Sequence, residues 1–188
     1  VSDGIRRTGD YYEAPILDYL AQHHPMHDVI VDAGAMVGNH TAYFAAYLQY
    51  SAIHAFEPVP SNLELLRSNV AAYPSVVVHP VALSDRPRWL QMSTNTANMG
   101  ACLVQEAGEL LVEAVALDGC QLGHVTLLKV DVENHEAALL AGARRTLGRD
   151  HPLVLLEDWS YGGAAALLPG YVLEQAWDEA FTYLYRWP

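Results

Sequence analysis

The sequence predicts an α/β fold: a mostly parallel sheet with helices on both faces and an antiparallel hairpin at its carboxyl end. Three observations predict it. Short β-branched runs alternate with helical stretches, a glycine turn follows the first run, and the last two apolar runs face each other across Asp178-Glu179. With 188 residues, 52% of them hydrophobic and 17% charged, the chain is large enough to bury the core of one ordinary domain. That domain is expected over 1–188, with 1–27 a helical segment packing on it.

Asp10 to His23 places Tyr12, Ile16, Leu17 and Leu20 at helical spacing, and Pro25 closes the helix. Asp28–Ala33 reads as the first strand and Asn39 to Gln49 as a helix burying Tyr43, Phe44, Tyr47 and Leu48. Ser51–Phe56 is a second strand, Pro60-Ser61-Asn62 opens a helix, and Ser75–Val78 is a third strand. Arg88–Met92 and Leu110–Leu117 look extended, with a Thr/Asn/Gly-rich loop at Ser93–Gly100 between them. Val125–Val130 is a strand, Glu136–Leu147 a helix and Pro152–Leu156 a strand. Tyr171–Trp177 and Phe181–Trp187 form the hairpin.

Ten Lys plus Arg against 22 Asp plus Glu give a net charge of -12, which repels phosphate backbones and excludes nucleic acid as the expected partner. Arg144, Arg145 and Arg149, the densest basic cluster, read as the last turn of a helix. Cys102 and Cys120 suit neither a zinc site nor a disulfide framework, so a reducing, cytoplasmic setting is expected. No leader or apolar run of membrane-spanning length is read, and no membrane partner is expected.

The strongest local signal is Asp32-Ala33-Gly34-Ala35-Met36-Val37-Gly38, at the end of a strand and the start of a helix. Gly34 permits a tight turn and close backbone approach to a ligand, and Gly38 lets the helix start near the sheet. The free amides of that helix start suit the polar end of a nucleoside cofactor. Glu57, just past the second strand, stands where doubly wound folds place the acid that accepts from both ribose hydroxyls. A nicotinamide-dependent oxidoreductase shares both features, but the turn lacks the third glycine of its fingerprint. Asp32, ahead of the first glycine, is expected to reach the amino group of a methionine-type cofactor.

The third signal is Leu127–Glu136 (LLKVDVENHE). Strand alternation puts Leu127, Lys129 and Asp131 on one side, with Asp131 opening onto the crevice at the carboxyl end. Glu133 and His135 follow on the loop, Glu136 complements the helix dipole, and Glu157 ends a neighbouring strand. Asp131, Glu133, His135 and Glu157 are expected to meet. Trp159 and Tyr161 either stack on a ligand or pack at the rim. His54 and His79 read as structural, and Tyr11, Tyr12 and Glu13 as surface packing at the first helix.

Asp32–Thr41, Phe56-Glu57-Pro58, Ala82-Leu83-Ser84-Asp85, Leu128–Glu136 and Leu155-Leu156-Glu157 resemble, in order and spacing, the signature blocks of the FkbM-type methyltransferases. The resemblance implies a class I, Rossmann-like methyltransferase fold with a seven-stranded sheet. It implies S-adenosylmethionine as donor, S-adenosylhomocysteine as product, and O-methylation of a sugar or other hydroxylated small metabolite. Asp32, Gly34, Gly38, Asn39, Glu57, Pro58, Ala82 and Asp131 are then the expected cofactor-binding residues. His135, Glu133 and Glu157 are the expected catalytic residues, with His135 the base by its ordinary pKa. A divalent ion on the four crevice residues is the lesser alternative, and no metal site is assigned. Two positions depart from the family pattern: Met36 stands where Asn is common, and Asn134 where Gly is usual. A catalytically degenerate binding module of the same fold is the alternative from a different class.

Overall fold

The computed structural model describes residues 11–94, 102–104, 108–160 and 163–188. Tyr161, most of the 93–100 stretch and Asp10 lie outside them.

The main sheet has seven strands. The elements that build it are α1 (Ala14–His23), β1 (Val29–Ala33), α2 (Asn39–Tyr47), β2 (Ala52–Phe56), α3 (Pro60–Val70) and β3 (Val76–His79). After an inserted second sheet come β8 (Val125–Val130), α4 (Glu136–Ala141), α5 (Arg144–Asp150), β9 (Leu153–Glu157), β10 (Val172–Trp177) and β11 (Thr182–Arg186). The order is β10-β11-β9-β8-β1-β2-β3, parallel except for β11, which is antiparallel to both β9 and β10. The central strands are buried along almost their whole length because both faces are covered. Ile30, Ile53, Leu127, Leu155 and Leu184 point to the face that α1 and α2 cover with Ile16, Leu17, Leu20 and Phe44. Val31, Leu128, Val154 and Leu156 point to the other face, under Leu139, Leu140 and Leu147 of α4 and α5.

Register sets where the chemistry falls. Ala33 lies beside Phe56 on one side and Val130 on the other; Val130 lies beside Leu156, and Glu157 faces Thr182. The residues that follow these strands (Gly34, Glu57 and Asp131), together with Glu157 at the end of β9, therefore gather along one edge of the sheet.

The inserted sheet orders as β4-β7-β5-β6, from β4 (Ala82–Leu83), β5 (Arg88–Thr94), β6 (Cys102–Val104) and β7 (Leu110–Val115). Ser93 and Thr94, expected in a loop, continue β5 and pair with β6. The extended reading of Leu110–Leu117 ends early, because Leu117–Gly119 winds into a 3-10 turn.

The helix expected over Glu136–Leu147 is two helices. At Gly142, between them, an added Cβ would lie 2.0 Å from the Ser84 carbonyl oxygen, so β4 presses on the chain where it breaks. Asp118 of the 3-10 turn then accepts the backbone N–H groups of Arg145 and Thr146, both at 2.8 Å, capping the second helix from outside. Arg144 and Arg145 consequently begin a helix rather than end one, and only Arg149 falls in a last turn.

Candidate active site

Asp32 lies at 0% exposure beneath the glycine turn. Its Oδ2 accepts from the Thr41 hydroxyl at 2.5 Å, and its Oδ1 faces Lys129 Nζ at 3.1 Å. Asp32, expected to reach a cofactor's amino group, thus faces Thr41 and Lys129 inside the protein. Lys129, 3% exposed, also sits 3.2 Å from Asp131 Oδ2 and donates to the Gly34 carbonyl at 2.8 Å. A buried ammonium is tolerable only when paired, and here two carboxylates and a carbonyl surround it.

Gly34 has φ +75, and a Cβ there would stand 1.7 Å from the Asp131 carbonyl oxygen. Gly38, at φ +85, admits Leu66 of α3 at 2.7 Å from such a Cβ. The close backbone approach expected of Gly34 is thus made by the protein's own β8 end.

Glu57, 4% exposed, is held by the turn it borders. Its Oε1 accepts from Val59 N at 2.8 Å and Asn62 Nδ2 at 3.2 Å, and its Oε2 accepts from Met36 N at 2.9 Å. Burial pushes its pKa up to about 7 despite these donors. Oε2 carries a single described bond, so an acceptor position remains on it. Pro58 continues from Glu57 toward α3, and Ala82 lies half-buried in β4 against the cluster containing Val59. Asn39 spends its side chain elsewhere than expected: Oδ1 accepts from Tyr12 N and Nδ2 donates to Tyr12 O, both at 3.0 Å. What it still offers a ligand is its place at the start of α2.

On the neighbouring strand ends, Asp131 and Glu157 face one small cavity together with Lys129. Two carboxyl groups so placed compete for one proton, and Lys129, beside Asp131, favours leaving it on Glu157. Burial pushes Asp131 up, but Lys129 and then Glu157 outweigh it and hold Asp131 below the usual range. Glu157 is raised to about 9 by burial and by the Asp131 charge, so Glu157 keeps the proton. Glu133 is raised by burial, then by Asp131 and Glu136. Asp131, Glu157, Lys129, His40 and Glu13 line one cavity with room for about one water.

His135 does not join them. Its Nε2 lies 2.9 Å from Ser84 Oγ, which donates to Asp85 Oδ1 at 3.0 Å, and Asp85 in turn faces Arg86 and Arg88. Ser84 has one proton and gives it to a carboxylate, so His135 must donate through Nε2 and carry its lone pair on Nδ1. Burial, then Arg88, lowers its pKa from 6.5. The expected meeting of four residues is therefore a meeting of Asp131 and Glu157 with Glu133 as their charged neighbour, and His135 belongs to a second cluster on β4.

Backbone strain marks the same edge. Of six non-glycine residues with positive φ among the described residues, Glu13, Met36, Glu133 and Asn134 all border this crevice. Such conformations persist where surrounding structure enforces them, commonly at functional sites. Asn134 at φ 69 confirms that asparagine keeps the left-handed turn where the family pattern has glycine.

A family model for the FkbM methyltransferase domain matches residues 32–179. The chain belongs to the FkbM methyltransferase family. Family members use S-adenosylmethionine as methyl donor. Among solved structures, it is similar to the methyltransferase FkbM from Methylobacillus flagellatus, with 19% identity over 87% of this chain and a TM-score of 0.65. The chain spans 44% of that protein's length. It is also similar to an rRNA methylase from Streptococcus thermophilus (12% identity, 93% of this chain and 96% of that one, TM-score 0.53) and a precorrin-6y methyltransferase from Geobacter metallireducens (14%, 87% and 75%, TM-score 0.56). These likenesses show the class I methyltransferase fold. No curated protein matches the chain in sequence.

Along this edge, sequence reasoning missed the jobs of Lys129, Thr41, Ser84, His40 and Glu13. One signal was available: a lysine on the inward side of a buried strand, between two aspartates, has to be paired. Among the described residues no group of three or more His, Cys, Asp or Glu is arranged to hold a metal ion, and the cation between Asp32 and Asp131 is Lys129. No helix among them is long and apolar enough to cross a membrane.

Proposed function

We propose that the chain is an S-adenosylmethionine-dependent O-methyltransferase acting on a hydroxyl of a sugar or other hydroxylated small metabolite. The observation that carries this reading is the register of β1, β8 and β9, which sets a pinned glycine turn beside the carboxyl groups of Asp131 and Glu157. The residues that would hold the donor are Gly34, Gly38 and Asn39 at the turn, Glu57 through the acceptor position left on Oε2, and Pro58, Ala82 and Asp131 beside them. When bound, the cofactor supplies a methyl group activated on a sulfonium.

The chain's own residues then have three tasks. They align the acceptor hydroxyl, which alone is worth several kcal/mol. They exclude water at the sheet edge. They take the hydroxyl proton, typically worth about 10²–10⁴ in rate. Glu157, protonated up to about pH 9, is suited to donate a hydrogen bond rather than act as base. Glu133, ionisable beside the pair and only partly buried, is the group we assign to the proton. His135, tied to Ser84, orders the loop that carries Glu133.

The net charge of -12 fits a small-molecule acceptor better than a nucleic acid, and we place the reaction in the cytoplasm with no membrane partner. The test is calorimetry followed by turnover. S-adenosylhomocysteine should bind and NAD should not; Glu133→Gln should leave that affinity unchanged while lowering kcat by about 10²–10⁴. Binding of NAD alone would overturn the cofactor reading. Binding of S-adenosylhomocysteine with no turnover across a metabolite extract would favour the degenerate binding module.

A further inference from the structure

Residues 11–13 precede the stretch that the family model matches, yet Glu13, at their end, lines the cavity that holds Asp131 and Glu157. Each is held separately. Tyr11 meets Tyr43 edge-on with ring centroids 5.1 Å apart. The backbone of Tyr12 exchanges two hydrogen bonds with the Asn39 amide, an arrangement that fixes a strap as a ladder rung would. Glu13, at φ 58, places Oε2 3.1 Å from His40 Nε2, and no described bond falls on its Oε1. Behind the strap, Ile16, Leu17 and Leu20 of α1 are buried on the sheet.

This anchoring does not bury Tyr12. Its side chain is left 54% exposed, and its phenol is raised by partial burial and then by the charges of Glu13, Glu157, Asp131 and Glu133. Glu13 itself lines the cavity that Asp131 and Glu157 share. A pinned backbone carrying an unburied aromatic at a crevice mouth is poor packing but a usable contact surface.

We propose that Tyr12 and Glu13 are specificity-determining residues of the acceptor site, and that with them the site takes neutral or amine-bearing sugars and rejects carboxylated or phosphorylated ones. The inference rests on the proposed methyl-transfer site. The phenol offers a flat face to a sugar ring and a hydroxyl to its substituents. Glu13 Oε1 accepts from a hydroxyl or an ammonium. An anionic acceptor would instead meet Glu13, Glu133 and Asp131, while Lys129 is already neutralised between Asp32 and Asp131.

The test uses the whole chain saturated with S-adenosylhomocysteine and three hexoses of similar shape: glucose, glucosamine and glucuronate. Titration followed by saturation-transfer NMR should rank glucosamine and glucose above glucuronate by about threefold or more. Glu13→Lys should reverse the ranking. Tyr12→Ala should weaken the favoured sugars by about tenfold while Tyr12→Phe retains most of the affinity, with cofactor-product binding unchanged in both. Equal or tighter binding of glucuronate, indifference to Tyr12→Ala, or binding of none of the three would overturn the assignment and leave the methyltransferase reading standing. Failure of S-adenosylhomocysteine to bind would overturn that reading, and this inference with it.

Discussion

Met36 adopts φ 51 at the centre of the glycine turn, a conformation that side chains other than Asn, Asp and Gly enter at a cost of about 1–3 kcal/mol. Its N–H is nevertheless committed to Glu57 Oε2, so the turn holds its shape through that bond. The family's usual Asn suits the backbone, and nothing in the structure explains the methionine. Met36→Asn is expected to stabilise the chain by about 0.5–1 kcal/mol, part of the strain recovered. Urea unfolding measures this directly, and a lowered midpoint would show that the thioether makes contacts worth more than the strain. Asn39 carries a different residue-scale lesson. Its position at a helix start was legible, but its side chain's engagement with Tyr12 depends on a residue far away in sequence.

Among elements, the junction of β1 and β8 governs the site. Because the Asp131 carbonyl oxygen would stand 1.7 Å from a Cβ at position 34, the glycine is a condition for pairing the two strand ends. Gly34→Ala should therefore destabilise the fold itself, on the order of 3–5 kcal/mol, rather than merely block a ligand. Chemical denaturation checks this; a variant that unfolds like wild type yet fails to bind cofactor product would restore the ligand-approach explanation. The strands around this junction were legible because each is a short β-branched run buried on both faces and ended by a glycine, proline or acid. The broken helix was not legible, since its cause is the Ser84 carbonyl pressing at Gly142. The same holds within the site. Asp131 and Glu157 could be placed at strand ends from alternation alone, whereas the turn of His135 toward Ser84 and the burial of Asp32 are decided by neighbours that only the fold supplies.

At the scale of the molecule, two buried acids set a pH response. Glu57 and Glu157 have folded pKa values near 7 and 9, both raised from 4.5, so the native state retains protons that the unfolded chain has released. The stability they contribute is complete below about pH 4.5 and is lost as pH rises through 7 and then 9. Asp85, Asp131 and Asp150 are depressed and act oppositely, contributing stability above their ordinary value of 3.8 that is lost in stronger acid. His27, His54, His79 and His135, lowered by burial, cost stability as pH falls below 6.5, so the thermal midpoint should peak near neutrality and fall toward pH 9. In Glu157→Gln, which mimics the protonated form, the upper part of that fall should flatten; a midpoint that climbs from pH 5 to 9 in wild type would contradict the assignment. The strand order has a temporal consequence as well. β1 meets β2 and β3 early in the sequence, but its other partner, β8, lies beyond the whole inserted sheet. Closing so long a loop is entropically slow. Until it closes, Asp32 is without Lys129, and Gly34 has no carbonyl against it. A chain with only its first three strands would possess no such pocket, and the site is expected to form among the last events of folding.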